Sequence, residues 1–450
     1  MNNNVPPGYK KTEVGVIPEE WEAMPLGLLG TWKGGATPSM QNPAFWFDGT
    51  VPWVSSGDIK STLISDAPMK ITEIAVKQSS TTLLPANSVM VVTRSGILRK
   101  FLPVAKNLIP IAINQDIKAL IPDESAVSDY LLHVLIGNGN RVLATCLKSG
   151  TTVESIEYPW LKRYLIPLPP LPEQRAIAAA LSDVDALIAS LDKLIAKKRD
   201  MKQAAMQELL TGKRRMPGFA TVGAIHELPL QGHDTATNNR NATTVGARRA
   251  VPLHTGNNHV IPHGWEVKRL GDVCEISMGR TPSRRNPAYW GKGYKWLSIA
   301  DLQQKVISES KEEITELAAS EMPIIPKGTL LMSFKLSIGR LCFAGCDLFT
   351  NEAICSFNKL QANADYLYYA LGRVDFSLYG KQAVKGYTLN KESLKLVEVS
   401  YPPLPEQTSI AAILSDMDTE IAALEQKRDK TRLLKQGMMQ ELLTGRIRLV

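Results

Sequence analysis

"PPLPEQRAIAAALSDVDALIASLDKLIAKKRDMKQAAMQELLTGK" (169–213) returns 233 positions later as "PPLPEQTSIAAILSDMDTEIAALEQKRDKTRLLKQGMMQELLTGR" (402–446). Aligned without gaps, the two copies agree at 27 of 45 positions. Both carry a helical period. In the first, Ile177, Leu181, Val184, Ile188, Leu191 and Ile195 recur at spacings of four and three. Ile410, Leu414, Met417, Ile421 and Leu424 fall at the matching places in the second. This is a heptad seam. Pro172 and Pro405 suit a first helical turn, and Glu173 and Glu406 complement a helix N-terminus. Gly212 and Gly445 suit a left-handed C-cap. Some forty residues predict a rod of about 60 Å. One such rod cannot bury its seam alone, so the two are expected to pack on each other, antiparallel. In the second half of each rod the stripe turns polar, with Lys198 and Lys202 in the first and Arg428, Thr431 and Lys435 in the second. Two readings stand open: these side chains snorkel over the partner rod, or the rods diverge there and face another subunit.

Upstream of each rod lies a looser repeat. "IPEEWEAMPLG" (17–27) answers "IPHGWEVKRLG" (261–271), and "ATPSMQNPAFW" (36–46) answers "RTPSRRNPAYW" (280–290). "PWVSSGDI" (52–59) answers "KWLSIADL" (295–302). Agreement then fades until PPLPEQ. The unit is a variable globular domain with a near-identical helical tail, used twice. Short β-type runs such as "SVMVVT" (88–93) and "GTLLMSF" (328–334) alternate with turn residues, and "DYLLHVLI" (129–136) and "DYLYYALG" (365–372) read as helices. The expected class is α+β: two globular domains joined by two long helices packed as an antiparallel coiled coil. The expected order is domain one (1–168), first rod (169–215), an inserted and largely disordered linker (216–259), domain two (260–401) and second rod (402–450).

At 450 residues the chain exceeds one hydrophobic core. Its 44% hydrophobic content is that of a globular protein, and no apolar run reaches the length of a membrane span. The start, "MNNNVPPGYKK", lacks the apolar stretch of a signal peptide, which points to the cytoplasm. Net charge is +8, thinly spread. Residues 1–168 carry 15 basic and 14 acidic side chains, and 261–404 carry 18 and 15. A polyanionic partner is permitted but must be argued from local features.

No catalytic framework emerges. Phosphate-binding loops, HExxH and GxSxG are absent. Cys146, Cys274, Cys342, Cys346 and Cys355 are odd in number and form no CxxC pair, so reduced, buried thiols are expected and no metal site. "NPAFW" and "NPAYW" resemble the Asn-Pro-Pro-aromatic signature of amino-group DNA methyltransferases, but Ala44 and Ala288 replace the second proline and no glycine-rich cofactor loop precedes them. A turn that packs Trp46 or Trp290 on its domain is the expected reading.

A variable domain followed by a near-identical "PPLPEQ…LLTG" helix, twice over, resembles the specificity subunit of type I restriction–modification enzymes. The likeness runs through "GVIPEEWE", the "TPS…NPAxW" block and PPLPEQ, and covers nearly the whole chain except 218–258. It implies a non-catalytic DNA reader in which each variable domain is a target-recognition domain for one half of an asymmetric two-part site. The helices then set the spacing and dock two modification (methyltransferase) subunits, with restriction–translocation subunits completing the complex. S-adenosylmethionine, ATP and magnesium belong to those partners, and none is expected on this chain.

Candidate DNA contacts are basic and hydroxyl residues in loops. In the first domain they are Thr37, Ser39, Ser56, Arg94, Ser95, Arg99, Lys100, Lys148 and Thr152. In the second they are Arg280, Thr281, Ser283, Arg284, Arg285, Lys335, Arg340, Lys385, Tyr387 and Thr388. "GRTPSRR" is the densest cluster, and its counterpart "GATPSMQ" lacks all three arginines, a difference that unlike half-sites or unlike phosphate contacts would produce. The competing reading is a protein-binding scaffold that uses PPLPEQ as a polyproline docking peptide.

Overall fold

The structure, a computed structural model, describes residues 5–148, 153–219, 261–335, 337–383 and 386–449. The expected linker lies outside the described residues from position 220 onward. The chain divides into two compact units, Met1–Ile195 with Leu424–Val450, and Ala196–Ala423. Each unit holds one globular α+β domain and part of both long helices.

In the first unit a five-stranded sheet runs in the order Gly30–Gly34, Ile117–Pro122, Val89–Val92, Val104–Asn107, Leu63–Ile64. A four-stranded sheet, Met69–Ile71, Val51–Val54, Ile111–Ile113, Leu83–Leu84, lies beside it. Val89–Val92 is apolar at every position because both its faces are covered. Val89, Val91 and Leu120 pack under the helix Ser128–Gly137, while Met90, Val92 and Ala119 pack on Ile111 and Ile113 of the smaller sheet.

The second unit repeats the plan. Its five strands follow the same order, Glu275–Met278, Ile354–Asn358, Leu330–Ser333, Leu341–Ala344, Val306–Ile307. Leu330 and Met332 face the helix Ala364–Leu371, and Leu331 and Ile354 face Leu297 and Leu348 on the other side. The smaller sheet has three strands, Glu312–Ile314, Trp290–Leu297 and Phe349–Thr350.

The two predicted rods are helices of 39 residues each, Leu171–Leu209 and Leu404–Leu442. Gly212 and Gly445 end them with φ of 67° and 70°. Glycine is required there twice over. The left-handed backbone disfavours a side chain. A Cβ would also come within 2.2 Å of Pro262 at Gly212 and 2.5 Å of Pro18 at Gly445.

Within each unit the helices run antiparallel. In the first, Asp185 pairs with Lys435 (2.6 Å), and Asp192 with Arg428 (3.4 Å) and Arg432 (3.0 Å). In the second, Lys198 pairs with Glu420 (2.6 Å) and Lys202 with Asp418. The stripe's Lys198, Lys202, Arg428 and Lys435 therefore lie over the partner helix and end on its carboxylates. Thr431 is buried and bonds the Lys427 carbonyl of its own helix. The seam behaves differently along its length. Ile177 and Leu181 are wedged into the first domain's core with Leu442 and Leu443, and Ile410 and Leu414 into the second with Leu209 and Leu210. Leu191, Ile195 and Ile421 are buried, whereas Val184, Ile188, Met417 and Leu424 are half-buried. The first turns thus cover a domain as well as a helix.

Candidate nucleic-acid interface

Each globular domain is fastened to its long helix by the last two letters of PPLPEQ. In the first unit the Trp21 indole donates to Glu173 Oε2 (2.8 Å), and Arg448 clamps the same carboxylate through Nε (2.7 Å) and Nη2 (2.9 Å). In the second, Trp265 donates to Glu406 Oε2 (3.1 Å), and Arg215 clamps it at 2.8 and 2.9 Å. Glu173 and Glu406 are 2% and 0% exposed, so only a bidentate partner makes their burial tolerable. Burial pushes the Glu173 carboxyl up, but Arg448 and Trp21 outweigh it and hold it below the usual carboxylate range. Gln174 donates to the Pro169 and Ser125 carbonyls and accepts from the Val127 amide, and Gln407 likewise ties Pro402 to Asn363. PPLPEQ is an internal lock. The docking-peptide reading needs an extended polyproline run, but the motif is helical from Leu171 and from Leu404 onward, and Pro169, Glu173 and Gln174, like Pro402, Glu406 and Gln407, are buried.

The arginines complete a reciprocal exchange. Arg448 follows the second long helix and closes the joint that opens the first, whereas Arg215 follows the first and closes the joint that opens the second. Both occupy the third position after the capping glycine, two residues past the end of the 45-residue repeat.

The NPAxW blocks are turns, as expected. Asn42 and Asn286 accept from the amides of Ala44 and Ala288, and Trp46 and Trp290 meet Trp53 and Trp296 edge to face with centroids 5.4 and 5.0 Å apart. Their indoles donate to the Ser39 and Ser283 carbonyls.

On this scaffold the structure gathers several candidate residues. In the first unit Thr37 donates to Gln115 (2.7 Å), and the Arg94 amide bonds the Asp116 carbonyl (3.2 Å) in the same turn. Arg94 bridges Ser155, Ser95 caps the short helix Gly96–Arg99, and Arg99 and Lys148 pair with Glu154 and Glu157. Ser56 sits in the turn that Asp58 closes onto Ser55. In the second unit Thr281 donates to Glu352, whose carboxylate also feels Lys335. Arg284 is engaged within the domain: its guanidinium lies 3.7 Å over Trp290 and forks onto Glu312. Among the described residues, Arg94, Lys100, Arg280, Arg285 and Arg340 are exposed and carry no ion pair. Thr152 and Lys385 lie outside the described residues, and Tyr387 and Thr388 are described only as backbone of the strand Gly386–Thr388. Gln115 and Glu352 were missed by reading for basic and hydroxyl residues alone. The signal that finds them is the pairing of "INQD" (113–116) with "TNEA" (350–353).

Four thiols are buried and Cys346 is half-buried. Among the described residues no three His, Cys, Asp or Glu side chains gather as a metal site, and no helix is long and apolar enough to cross a membrane.

Comparison with known proteins agrees with this architecture. The type I restriction modification DNA specificity domain matches twice, at residues 18–197 and 262–432. The MjaIX specificity subunit of Methanocaldococcus jannaschii is 24% identical over 98% of this chain and 96% of its own length. The EcoR124I/EcoR124II specificity subunit of Escherichia coli is 39% identical, over 43% of this chain and 46% of its own length. The chain thus spans about half of that relative and nearly all of the archaeal one. In fold it resembles the S subunit of a type I restriction–modification system from M. genitalium (TM-score 0.56, 14% identity, 98% of this chain and 97% of that one). It also resembles a chain from a study of type I assembly (TM-score 0.53, 18% identity, 96% and 99%). With both halves matched and the duplicated α+β fold in place, the chain belongs to the type I restriction–modification DNA specificity family.

Proposed function

We propose that each globular domain is a target-recognition domain for one half of a two-part DNA sequence, and that the chain itself is non-catalytic. One observation carries this reading furthest. The two domains share a frame of matching turn and indole hydrogen bonds, yet differ in the side chains mounted on it. Ala36, Met40 and Gln41 stand where the second domain has Arg280, Arg284 and Arg285. Two readers of one geometry and different chemistry suit two unlike half-sites. The exposed arginines and lysines outside ion pairs supply phosphate contacts that hold each domain in register. The paired helices set the separation of the half-sites and dock two methyltransferase subunits. Restriction–translocation subunits complete the assembly, which works in the cytoplasm. S-adenosylmethionine, ATP and magnesium are held by those partners.

The test is co-expression with the partner methyltransferase, followed by genome-wide mapping of methylated adenines. Replacing residues 1–160 by those of another family member should change one half of the methylated motif only. A change in both halves, or a motif unaltered when this chain is removed, would refute the assignment.

A further inference from the structure

The turns at 114–116 and 351–353 occupy the same place in the two units. Each leads from the smaller sheet into an inner strand of the five-stranded sheet. Their surroundings agree bond for bond. The amide of Asn114 bonds the Val54 carbonyl (3.0 Å), and that of Asn351 the Leu297 carbonyl (2.9 Å). The amide of Ala36 bonds Ile113 (3.0 Å), and that of Arg280 bonds Thr350 (2.8 Å). The indoles of Trp53 and Trp296 donate to the carbonyls of Ala36 and Arg280 at 3.0 and 3.1 Å.

On this common frame one side-chain pair is repeated with its chemistry changed. Thr37 donates its hydroxyl proton to Gln115 Oε1 (2.7 Å), and Thr281 donates to Glu352 Oε2. Gln115 and Glu352 are exposed. The frame is already closed by main-chain and indole bonds, and an exposed hydroxyl–carboxylate bond contributes little to stability. What the threonine does is hold each side chain in one orientation. Gln115 then offers two N–H donors and a remaining lone-pair direction on its oxygen, whereas an ionised Glu352 offers acceptors only. The Thr281 hydroxyl, a backbone amide and Lys335 hold the Glu352 carboxyl below its usual range, so it is ionised at neutral pH. Arg94 adjoins the first turn and Arg280 the second, where each can hold a phosphate beside the base.

We infer that Gln115 and Glu352 are specificity-determining residues, one per half-site, with Gln115 reading an adenine edge and Glu352 accepting from the amino group of a cytosine. The pairings follow from the groove chemistry, since a carboxamide matches adenine N6 and N7 and a carboxylate matches cytosine N4. The assignment rests on the proposed DNA-reading function and deepens it.

The experiment uses the full chain assembled with its methyltransferase subunits and a pool of duplexes randomised across both half-sites. Bound duplexes are recovered and sequenced for the wild type, Glu352→Gln and Gln115→Glu. Glu352→Gln should change the preferred base at one position of one half-site, shifting the adenine-to-cytosine ratio there by about tenfold, and leave the other half unchanged. Gln115→Glu should do the converse in the other half. Unchanged base frequencies at every position in Glu352→Gln overturn the assignment while the two-part motif of the wild type stands. A loss spread over a whole half-site, or of all binding, overturns it too, because that marks a structural role. If the wild type enriches no sequence, the proposed function falls with it.

Discussion

Removing Arg448 should loosen the whole first joint, although it lies two residues from the end of the chain. Its guanidinium faces a Glu173 side chain that is 1% exposed, while its own side chain is 24% exposed. In Arg448→Ala the carboxylate keeps the Trp21 indole at 2.8 Å and a long contact to the Leu449 amide at 3.4 Å. Breaking a buried pair costs about 3–5 kcal/mol because the remaining charge stays desolvated. Water can reach the vacated side, so the lower end applies, ~3 kcal/mol. That is roughly a hundredfold in the local opening equilibrium. Hydrogen exchange of peptides covering 17–29 and 171–181 in the full chain reads this directly. Arg446→Ala is the control, since that side chain is 68% exposed and 3.6 Å from Glu441, and its loss should stay within ~0.5 kcal/mol. Adding Glu173→Gln to Arg448→Ala should recover part of the protection by removing the stranded charge. The folded pKa of Glu173 is depressed, so this stabilisation is present above the ordinary carboxylate value of ~4.3 and is lost as pH falls through the folded value. The gap between wild type and variant should therefore close on acidification. If Arg448→Ala exchanges within threefold of wild type at pH 7, the joint is not held by this pair.

Glycine has opposite meanings at two places in the second long helix and its cap. Gly445→Ala should destabilise by ~1–3 kcal/mol, because φ is 70° and Pro18 blocks the Cβ, whereas Gly437→Ala, mid-helix with nothing within 4 Å, should stabilise by ~0.5–1 kcal/mol; thermal melting compares them. Lys435→Ala should cost ~1–2 kcal/mol and Arg432→Ala ~0–0.5 kcal/mol, since the Lys435 side chain is 13% exposed and that of Arg432 50%. High salt should shrink the second effect more than the first in melting curves. His133 is buried beside Lys435, and burial first, then that charge, lower its pKa to about 4. A base with a depressed folded pKa stabilises above its unfolded value of ~6.5 and loses that stability as pH falls toward about 4, for a total of roughly 3 kcal/mol. His133→Gln should flatten the stability-against-pH curve across that window.

Much of this protein is legible in its letters because a duplication provides its own control. The 45-residue repeat determines two long helices, their glycine caps and the existence of two domains. The 3.6-residue period and the turn chemistry are local properties that any fold must respect. The unbroken apolar runs in "SVMVVT" and "GTLLMSF" were sufficient to mark strands, but that both are inner strands covered on two faces came from the fold. The polar stripe was visible too, but its partners were not, because Asp185 and Lys435 are 250 positions apart and no period links them. The same limit hid the joints. In the letters Glu173 reads as an acid at a helix start, and nothing there marks Trp21 or Arg448 as its partners. Only folding places a carboxylate where it must be desolvated, and only then does it need both an indole and a guanidinium. The candidate reading residues follow the same logic. Thr37 and Thr281 stood out as hydroxyls in the repeated TPS turn, whereas Gln115 and Glu352 lie in a stretch where the two halves have diverged. The amide of Gln115 and the charge of Glu352 are in the letters, but only long-range chain closure, which sequence periodicity does not encode, brought each to the threonine of its own unit.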